Sequence, residues 1–452
     1  MKLAIAEEEI VLYEKGFDAT DFLNRKPFAD KLSELIDKFE TPFVVALDGP
    51  WGSGKSFFLK RWVGHHQESH KDDTVVVYLD AFELDYLDEP MVALVSEISA
   101  RFEEKLPKSQ KIWQKGKAIA AKLLPSVIRV AAAVATSGAS ELMARPFQVG
   151  LETAAEEIDS TTKLWEREHS RREAVTDFRK FLESLTKGVD DLPAKKVDDL
   201  PAKKIVVVID ELDRCRPDYA LSMLEIIKHF FDVNNVHFIL GINLAELENM
   251  ARARYGEKLD ARNYIGKFVK FNIRLPEFSQ NNTVIAWEPF FDETARAMGL
   301  EGEVLAEIRF QLKTLRFEII TLRTIQRLLT TAALLPNFNK LRFQSAYYKM
   351  LYCSLFLFSF FRGKLSSSNQ ITFGEMQQMF DLTYKDVVSN SEEGHRNRIY
   401  VVLACALDAN EFSKISDDDK NTIDAALNHH GKPNVPAIMR DYILFATAIT
   451  QP

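Results

Sequence analysis

Cysteine is scarce in this chain. The three present, Cys215, Cys353 and Cys405, are odd in number and widely spaced, which excludes a disulfide framework and offers no zinc-ligand spacing. Positive charge is short as well: 58 Lys and Arg against 66 Asp and Glu leave a net charge of -8, which argues against a basic footprint spread over the whole protein. The local patch Lys105-Leu106-Pro107-Lys108-Ser109-Gln110-Lys111 reads as an ordinary lysine-rich helix end before it reads as a nucleic-acid contact. Long apolar runs are missing. The most apolar stretch, Ala118 to Ala139, is interrupted by Lys122, Pro125 and Arg129, leaving only Val130 to Ser140 uncharged, whereas a membrane-crossing helix needs roughly 20 apolar residues. No transmembrane span is expected, and this segment reads as a helix packed on the protein ahead of one lying at a membrane surface. The acidic opening at Glu7-Glu8-Glu9 does not read as a secretory leader, so the expected compartment is the cytoplasm.

What is present is local and specific. Gly49-Pro50-Trp51-Gly52-Ser53-Gly54-Lys55-Ser56 spells G-x-x-x-x-G-K-S directly after the strand-like run Phe43 to Leu47, and Phe57, Phe58, Leu59, Trp62 and Val63 continue as a mostly apolar helix. Strand, glycine loop and helix in that order make a phosphate cradle. The glycines let backbone N–H groups turn toward phosphate oxygens, Lys55 can reach the β and γ phosphates, and Ser56 is placed to ligate Mg²⁺ at a helix N-terminus. Gly49 through Phe57 is therefore the expected nucleotide-binding segment, with ATP and Mg²⁺ as its ligands.

A second motif says what the phosphates are for. Ile205-Val206-Val207-Val208-Ile209 is a β-branched run suited to one buried parallel strand, and it ends in Asp210-Glu211-Leu212-Asp213-Arg214. Asp210 at the strand end can hold Mg²⁺ through a water. Glu211 can orient and deprotonate an attacking water, since positioning and electrostatics supply nearly all of phosphoryl-transfer catalysis. Further strands are predicted at Thr74 to Leu79, Val236 to Leu240 and Phe268 to Ile273, alternating with helices. Asn243, after the Val236 strand, is either a sensor touching the γ-phosphate side or the N-cap of a helix over Leu244 to Ala253; the sequence allows both.

These motifs resemble the KAP family of P-loop NTPases. The specific block is Val206-Val207-Val208-Ile209-Asp210-Glu211-Leu212-Asp213-Arg214-Cys215-Arg216-Pro217 with the helix Leu221 to Lys228 after it, joined by Gly49 to Ser56 and by Tyr264-Ile265-Gly266-Lys267-Phe268 through Leu275-Pro276. Thr321-Leu322-Arg323-Thr324-Ile325-Gln326-Arg327-Leu328 is similar to the arginine-bearing helix that follows the family's nucleotide core. The resemblance spans about residues 20 to 335. It implies an ATPase with an added strand between the two nucleotide motifs and a catalytic acid after the metal-binding aspartate. The second acid is usually aspartate in the family and is Glu211 here. Relatives include bacterial proteins implicated in phage exclusion or defence and animal membrane-associated scaffolds, so protein partners in a multi-component system are implied. Many members carry paired transmembrane helices between the two motifs, where this chain has only the interrupted stretch at 118–139.

Lys55 and Mg²⁺ alone leave negative charge uncompensated on the γ-phosphate, and related enzymes complete the site with an arginine. Arg323 or Arg327 are the same-chain candidates. Arg252, Arg254 or Arg262 would serve if a neighbouring copy in a homo-oligomer supplies it, unless these are surface helix charges.

The stretch between Lys55 and Asp210 is far longer than one strand and two helices require, so an insertion is expected at about 104–200. Its part from Glu152 to Arg179 is highly charged and helix-prone, as a solvated or partner-facing helix would be. The octad Val189-Asp190-Asp191-Leu192-Pro193-Ala194-Lys195-Lys196 is repeated at once over Val197 to Lys204; two such units cannot build a solenoid and read as a loop extension. Beyond about residue 280 helical patterning takes over, with helices expected at Val304 to Leu315 and Ile319 to Leu335. The apolar run Met350 to Phe361 is expected to be a core helix, and its phenylalanines, Phe356, Phe358, Phe360 and Phe361, core or subunit interface. Helices broken at Gly394, Asn410, Gly431 and Pro436 are expected to follow.

With 46% hydrophobic and 27% charged residues the chain can bury a substantial core. The expected architecture is an α/β P-loop NTPase, a three-layer sandwich on a mostly parallel sheet, over 1–280, followed by an all-α domain over 281–452. The expected function is Mg-dependent ATP hydrolysis driving a conformational switch, with antiphage defence as the setting the resemblance suggests. Two rivals stay open: a nucleic-acid-stimulated motor and a membrane-associated scaffold.

Overall fold

The structure is a computed structural model; it describes most of residues 10–105, a few positions between 114 and 119, the helix at 160–187, and most of 204–361. The apolar segment at 118–139, the octad repeat up to Lys203 and the C-terminal helices expected after 383 lie outside the described residues, apart from positions 118 and 119. The chain divides into two compact units, one of Glu9–Asp21 and Arg25–Pro276, the other of Met1–Glu8, Phe22–Asn24 and Glu277–Pro452.

In the first unit, largely β-branched and apolar runs become strands β1 (Val44–Asp48), β2 (Thr74–Asp80), β3 (Lys204–Asp210) and β4 (Val236–Ile242), and the mostly exposed stretch Phe271–Arg274 adds a fifth, β5. All pair in parallel, in the order β2-β3-β4-β1-β5. β4 thus lies between the strand that leads into the glycine loop and the strand that ends in Asp210, the added strand that the family resemblance implies. The last strand starts later than its hydrophobicity suggests. Phe268 belongs to the turn closing the short helix Ala261–Ile265, its N–H donating to the Ile265 carbonyl, and pairing begins at Phe271.

The two-residue period of a strand sorts the sheet's side chains onto two faces. Val45, Leu47, Val76, Tyr78, Val206, Val208 and Ile239 face helices α1 (Lys26–Lys38) and α2 (Lys55–Ser69), meeting Leu32, Ile36, Phe58, Leu59, Trp62 and Val63. Val44, Ala46, Val75, Val77, Ile205, Val207, Phe238 and Leu240 face the opposite layer, built by the helices Pro90–Lys105, Ser160–Lys187, Pro217–Lys228 and Leu244–Tyr255. This is the expected three-layer sandwich.

From Ala174 on, the helix Ser160–Lys187 departs from the solvated or partner-facing element expected over Glu152 to Arg179. Ala174, Phe178, Phe181, Leu182 and Leu185 are buried in the core, with Phe178 edge-on to Phe230 at 5.0 Å between ring centres. These five positions recur at helical spacing and form a narrow apolar stripe, while Arg172, Glu173 and Asp177 lie off it. The charges dominate the composition; the stripe decides the packing.

In the second unit the described elements are helical. Trp287–Met298, Glu303–Leu312 and Leu322–Leu334 bury Phe291, Met298, Ile308, Leu312, Ile325, Leu328 and Leu329. Glu288 ties the first two together through Arg309 and Lys313, each at 2.9 Å. Tyr352, Cys353, Phe356, Leu357 and Phe361 are buried, as expected of a core helix; Phe360 is half-buried and Phe358 lies outside the described residues.

Two packing demands are testable, one across the sheet and one beneath the helix Ser160–Lys187. Asp210 and Gly241 are direct neighbours across β3 and β4. A Cβ on Gly241 would overlap Asp210 Oδ1 and come within 2.5 Å of Leu59 Cδ1. Gly241→Ala is therefore expected to cost about 1–3 kcal/mol through overpacking, read as a lower urea midpoint. Phe178→Ala is expected to cost about 3–5 kcal/mol in the same measurement. A midpoint unchanged by Phe178→Ala would return the helix Ser160–Lys187 to the solvated role.

Candidate nucleotide site

The glycine loop closes between β1 and α2. Gly52 and Gly54 both sit at φ +84°, a left-handed conformation that costs a side-chain-bearing residue roughly 1–2 kcal/mol. Gly49 is also tight: a Cβ there would lie 3.0 Å from Ser53 Oγ. Ser53 Oγ is itself buried with no hydrogen-bond partner. A concave loop with backbone N–H groups at a helix N-terminus and an orphaned hydroxyl fits a bound phosphate chain.

The charged groups of this loop are already inside the protein. Lys55 is 7% exposed, and its Nζ donates to the carbonyls of Gly49 at 2.5 Å and Pro50 at 3.3 Å. Burial lowers its pKa, while Asp213, Asp210 and Asp48 act against that. Behind the loop, buried Arg25 at the start of α1 donates to the carbonyls of Ser53 at 2.8 Å and Gly54 at 3.1 Å. Burial brings its guanidinium down to about 10. Trp51, at the exposed tip, donates its indole N–H to Asp213 Oδ2 at 2.5 Å, so the loop is tied directly to the acidic motif. Pro50 and Phe57 are exposed at either end of the loop.

At the end of β3, Asp210 is fully buried and accepts the Tyr78 hydroxyl at 2.8 Å. Burial raises its carboxyl to about 6, against the Tyr78 and Ser56 hydroxyls, which favour the ionised form. Glu211 follows in the left-handed region at φ +59°, unusual for a glutamate and a form of strain that recurs at functional sites. Its Oε1 accepts the Ser56 hydroxyl at 3.2 Å, and its Oε2 pairs with Arg214 Nη1 at 2.9 Å. Asp213 is buried and engaged by Trp51. The structure thus brings Lys55, Ser56, Asp210 and Glu211 to one place, at the carboxyl ends of β1 and β3. Ser56 Oγ and Asp210 form an all-oxygen donor set suited to Mg²⁺.

Asn243 stands at the end of β4 with extended backbone, where the helix Leu244–Tyr255 begins, but its side chain makes no capping hydrogen bond. Asn243 thus holds the N-cap position without a side-chain cap, and Asp48 Oδ1, reaching over from β1, accepts the Leu244 N–H at 2.9 Å. Of the arginines considered for completing the site, Arg252 is engaged by Glu248 and Asn249 on its own helix. Arg254 and Arg262 are exposed. Arg323 and Arg327 are exposed on Leu322–Leu334, in the second unit.

Sequence reasoning missed Arg25, Arg214 and Arg274. Arg274, at the end of β5, places Nε 3.4 Å from Asp48 Oδ2, at the mouth of the loop. The motif itself held the signal for Arg214, three residues after Glu211 on a single turn. Arg25 carried none, because its partners are backbone carbonyls.

No curated protein matches the chain. Among solved structures, the ORC2 protein of Aeropyrum pernix in its ADP form is similar at 12% identity, over 88% of each chain, with a TM-score of 0.34. A DNA replication initiation factor is similar at 9% identity over 94% of each chain, with a TM-score of 0.31. The replication initiator DnaA bound to AMPPCP and single-stranded DNA is similar at 9% identity over 90% of this chain and 94% of that one, with a TM-score of 0.26. Likeness of that degree carries nothing about function. The model of the KAP family P-loop domain, in contrast, matches residues 25–337, from the arginine behind the loop to beyond the arginine-bearing helix, and the chain belongs to that family of P-loop NTPases.

Proposed function

We propose that the protein is a Mg-dependent ATPase whose nucleotide state switches its conformation within a multi-protein system. The observation that carries the reading is the meeting of Glu211 with Ser56 at 3.2 Å, beside buried Asp210 and Lys55. Mg²⁺, when bound, supplies charge neutralisation across the β and γ phosphates. The chain's own residues do the rest. The loop N–H groups hold the phosphates, and Lys55 exchanges its loop carbonyls for phosphate oxygens. Ser56 and Asp210 hold the cation, and Glu211 takes the proton of the attacking water at a carboxylate oxygen. Asn243 orients that water from the end of β4.

The reading extends to organisation. Residues 1–280 act as the NTPase core with the insertion at about 104–200, and 281–452 as the helical domain that transmits the switch. Arg323 or Arg327 completes the site within one chain, or Arg254 or Arg262 completes it from a neighbouring copy. On the family resemblance, the setting we propose is antiphage defence in the cytoplasm. Among the described residues no helix is long and apolar enough to cross a membrane.

Lys55→Ala is expected to abolish turnover while leaving the circular dichroism spectrum intact, because one point charge serves both binding and the transition state. Glu211→Gln is expected to retain ATP and slow hydrolysis by on the order of 10² or more, measured as phosphate release against equilibrium binding. Parent-rate hydrolysis in Glu211→Gln, with loss in Asp213→Asn, would move the base to Asp213. Full turnover in a folded Lys55→Ala protein removes the ATPase reading altogether.

A further inference from the structure

The far end of α2 carries a cluster that the nucleotide chemistry does not use. The helix opens at Lys55 under the phosphate loop and runs to Ser69, about 21 Å at 1.5 Å per residue. At that end His66 and His70 stand four residues apart, on one face of the helix. Their rings lie nearly parallel, 4.4 Å between centres and 23° apart. Asp37, in the last turn of α1, completes the group. The three residues each offer one ligand atom, and these atoms lie within 4.8 Å of one another.

The hydrogen bonds around the two imidazoles are those of metal ligands. His70 Nδ1 lies 3.0 Å from the His66 carbonyl, which can only accept, so Nδ1 carries a proton. Its other nitrogen, Nε2, faces Asp37 Oδ2 at 2.8 Å, an ion-pair distance that a metal ion, taking the proton's place, would have to open. A carbonyl that fixes the tautomer of a ligating histidine is a standard outer-shell device. His66 is completely buried. Its Nδ1 is paired with Ser33 Oγ at 2.9 Å, and its Nε2 has no hydrogen-bond partner. Trp62 donates to the same Ser33 oxygen and stacks on the His66 ring, holding that ring in place.

We propose that Asp37, His66 and His70 bind a divalent transition-metal ion of the zinc type, pinning the C-terminal end of α1 to that of α2. Two imidazole nitrogens and one carboxylate oxygen suit zinc, cobalt, nickel or copper, and do not suit magnesium or calcium. Three protein ligands leave a fourth position for water, on the side where Asp37 and His70 reach solvent. Tetrahedral zinc places its ligand atoms about 3.3 Å apart, so the Asp37–His70 pair opens from 2.8 Å, separations of up to 4.8 Å close by up to about 1.5 Å, and the part-exposed His70 ring turns out of its stack on His66. The C-terminal ends of both helices add partial negative charge. Lys204 stands against it: its Nζ donates to the carbonyls of Ile36 and Asp37, which makes the site weaker than a four-ligand structural zinc site.

The experiment is a titration of the untagged full chain with Co²⁺ and then Zn²⁺, without nucleotide, followed by visible absorption and calorimetry. One equivalent of Co²⁺ is expected to give ligand-field bands that Zn²⁺ displaces, with Zn²⁺ raising the melting temperature. His70→Ala and, independently, Asp37→Asn are expected to lower affinity by on the order of tenfold or more and to abolish that thermal shift. Asp37 and His70 are part-exposed, so at least one variant folds, as circular dichroism would report. His169→Ala, an exposed histidine outside the cluster, is expected to leave Co²⁺ binding unchanged. Absence of binding, or affinity unchanged in both cluster variants, overturns the proposal.

Discussion

The nucleotide site depends on a side chain that is not there. Gly241 lies across the sheet from Asp210, and only a hydrogen at its Cα leaves room for the Asp210 carboxylate to fold over β4 toward Leu59 and α2. With that space filled, the buried carboxylate would lose its place between the Tyr78 hydroxyl and Ser56. β4 therefore does more than widen the sheet. Inserted between β1 and β3, it sets the distance between the phosphate loop and the acidic strand end, and its glycine lets the two reach each other.

Around that space the site is held by contacts from several directions. Arg25 draws the loop carbonyls of Ser53 and Gly54 inward, so that the loop's N–H groups are turned the other way, toward a ligand. Trp51 couples the loop tip to Asp213, and Asp48 bridges the loop's origin to the start of the helix Leu244–Tyr255. Burial alone would push Asp210 and Lys55 toward their neutral forms. The charges of Asp213, Asp210 and Asp48 work against that at Lys55, and the Tyr78 and Ser56 hydroxyls at Asp210, where a divalent cation would act in the same sense.

What was legible in the sequence follows the range of each interaction. Val206 through Ile209 and Val75 through Val77 announce buried parallel strands because both of their faces are covered, so nothing but apolar residues fits. The loop Gly49 to Ser56 and the pair Asp210-Glu211 are short motifs in which neighbouring residues share one task. Trp51 and Asp213, in contrast, are 162 positions apart, and nothing local marks them as partners. The helix Ser160–Lys187 was obscured for a different reason: a five-residue stripe is outvoted by surrounding charge in any reading by composition. Asn243, open in the sequence between sensor and cap, takes the N-cap position without a side-chain bond, while Asp48, a residue on another strand, accepts the Leu244 N–H.

The hydrogen bonds of Ser56 and Glu211 bear on how the site changes state. A serine hydroxyl has one proton and two lone pairs, so donating to Glu211 Oε1 still leaves Ser56 able to face a cation. Ser56 and Glu211 can keep their bond while the metal binds. Arg214 is in a different position. Its Nη1 holds Glu211 Oε2 at 2.9 Å, so both carboxylate oxygens are engaged, one by Ser56 and one by Arg214. The side chain of Arg214 is about one-third exposed, so exchanging this pair for solvent costs little. Releasing Arg214 would therefore free Glu211 Oε2 while Oε1 keeps the Ser56 hydroxyl.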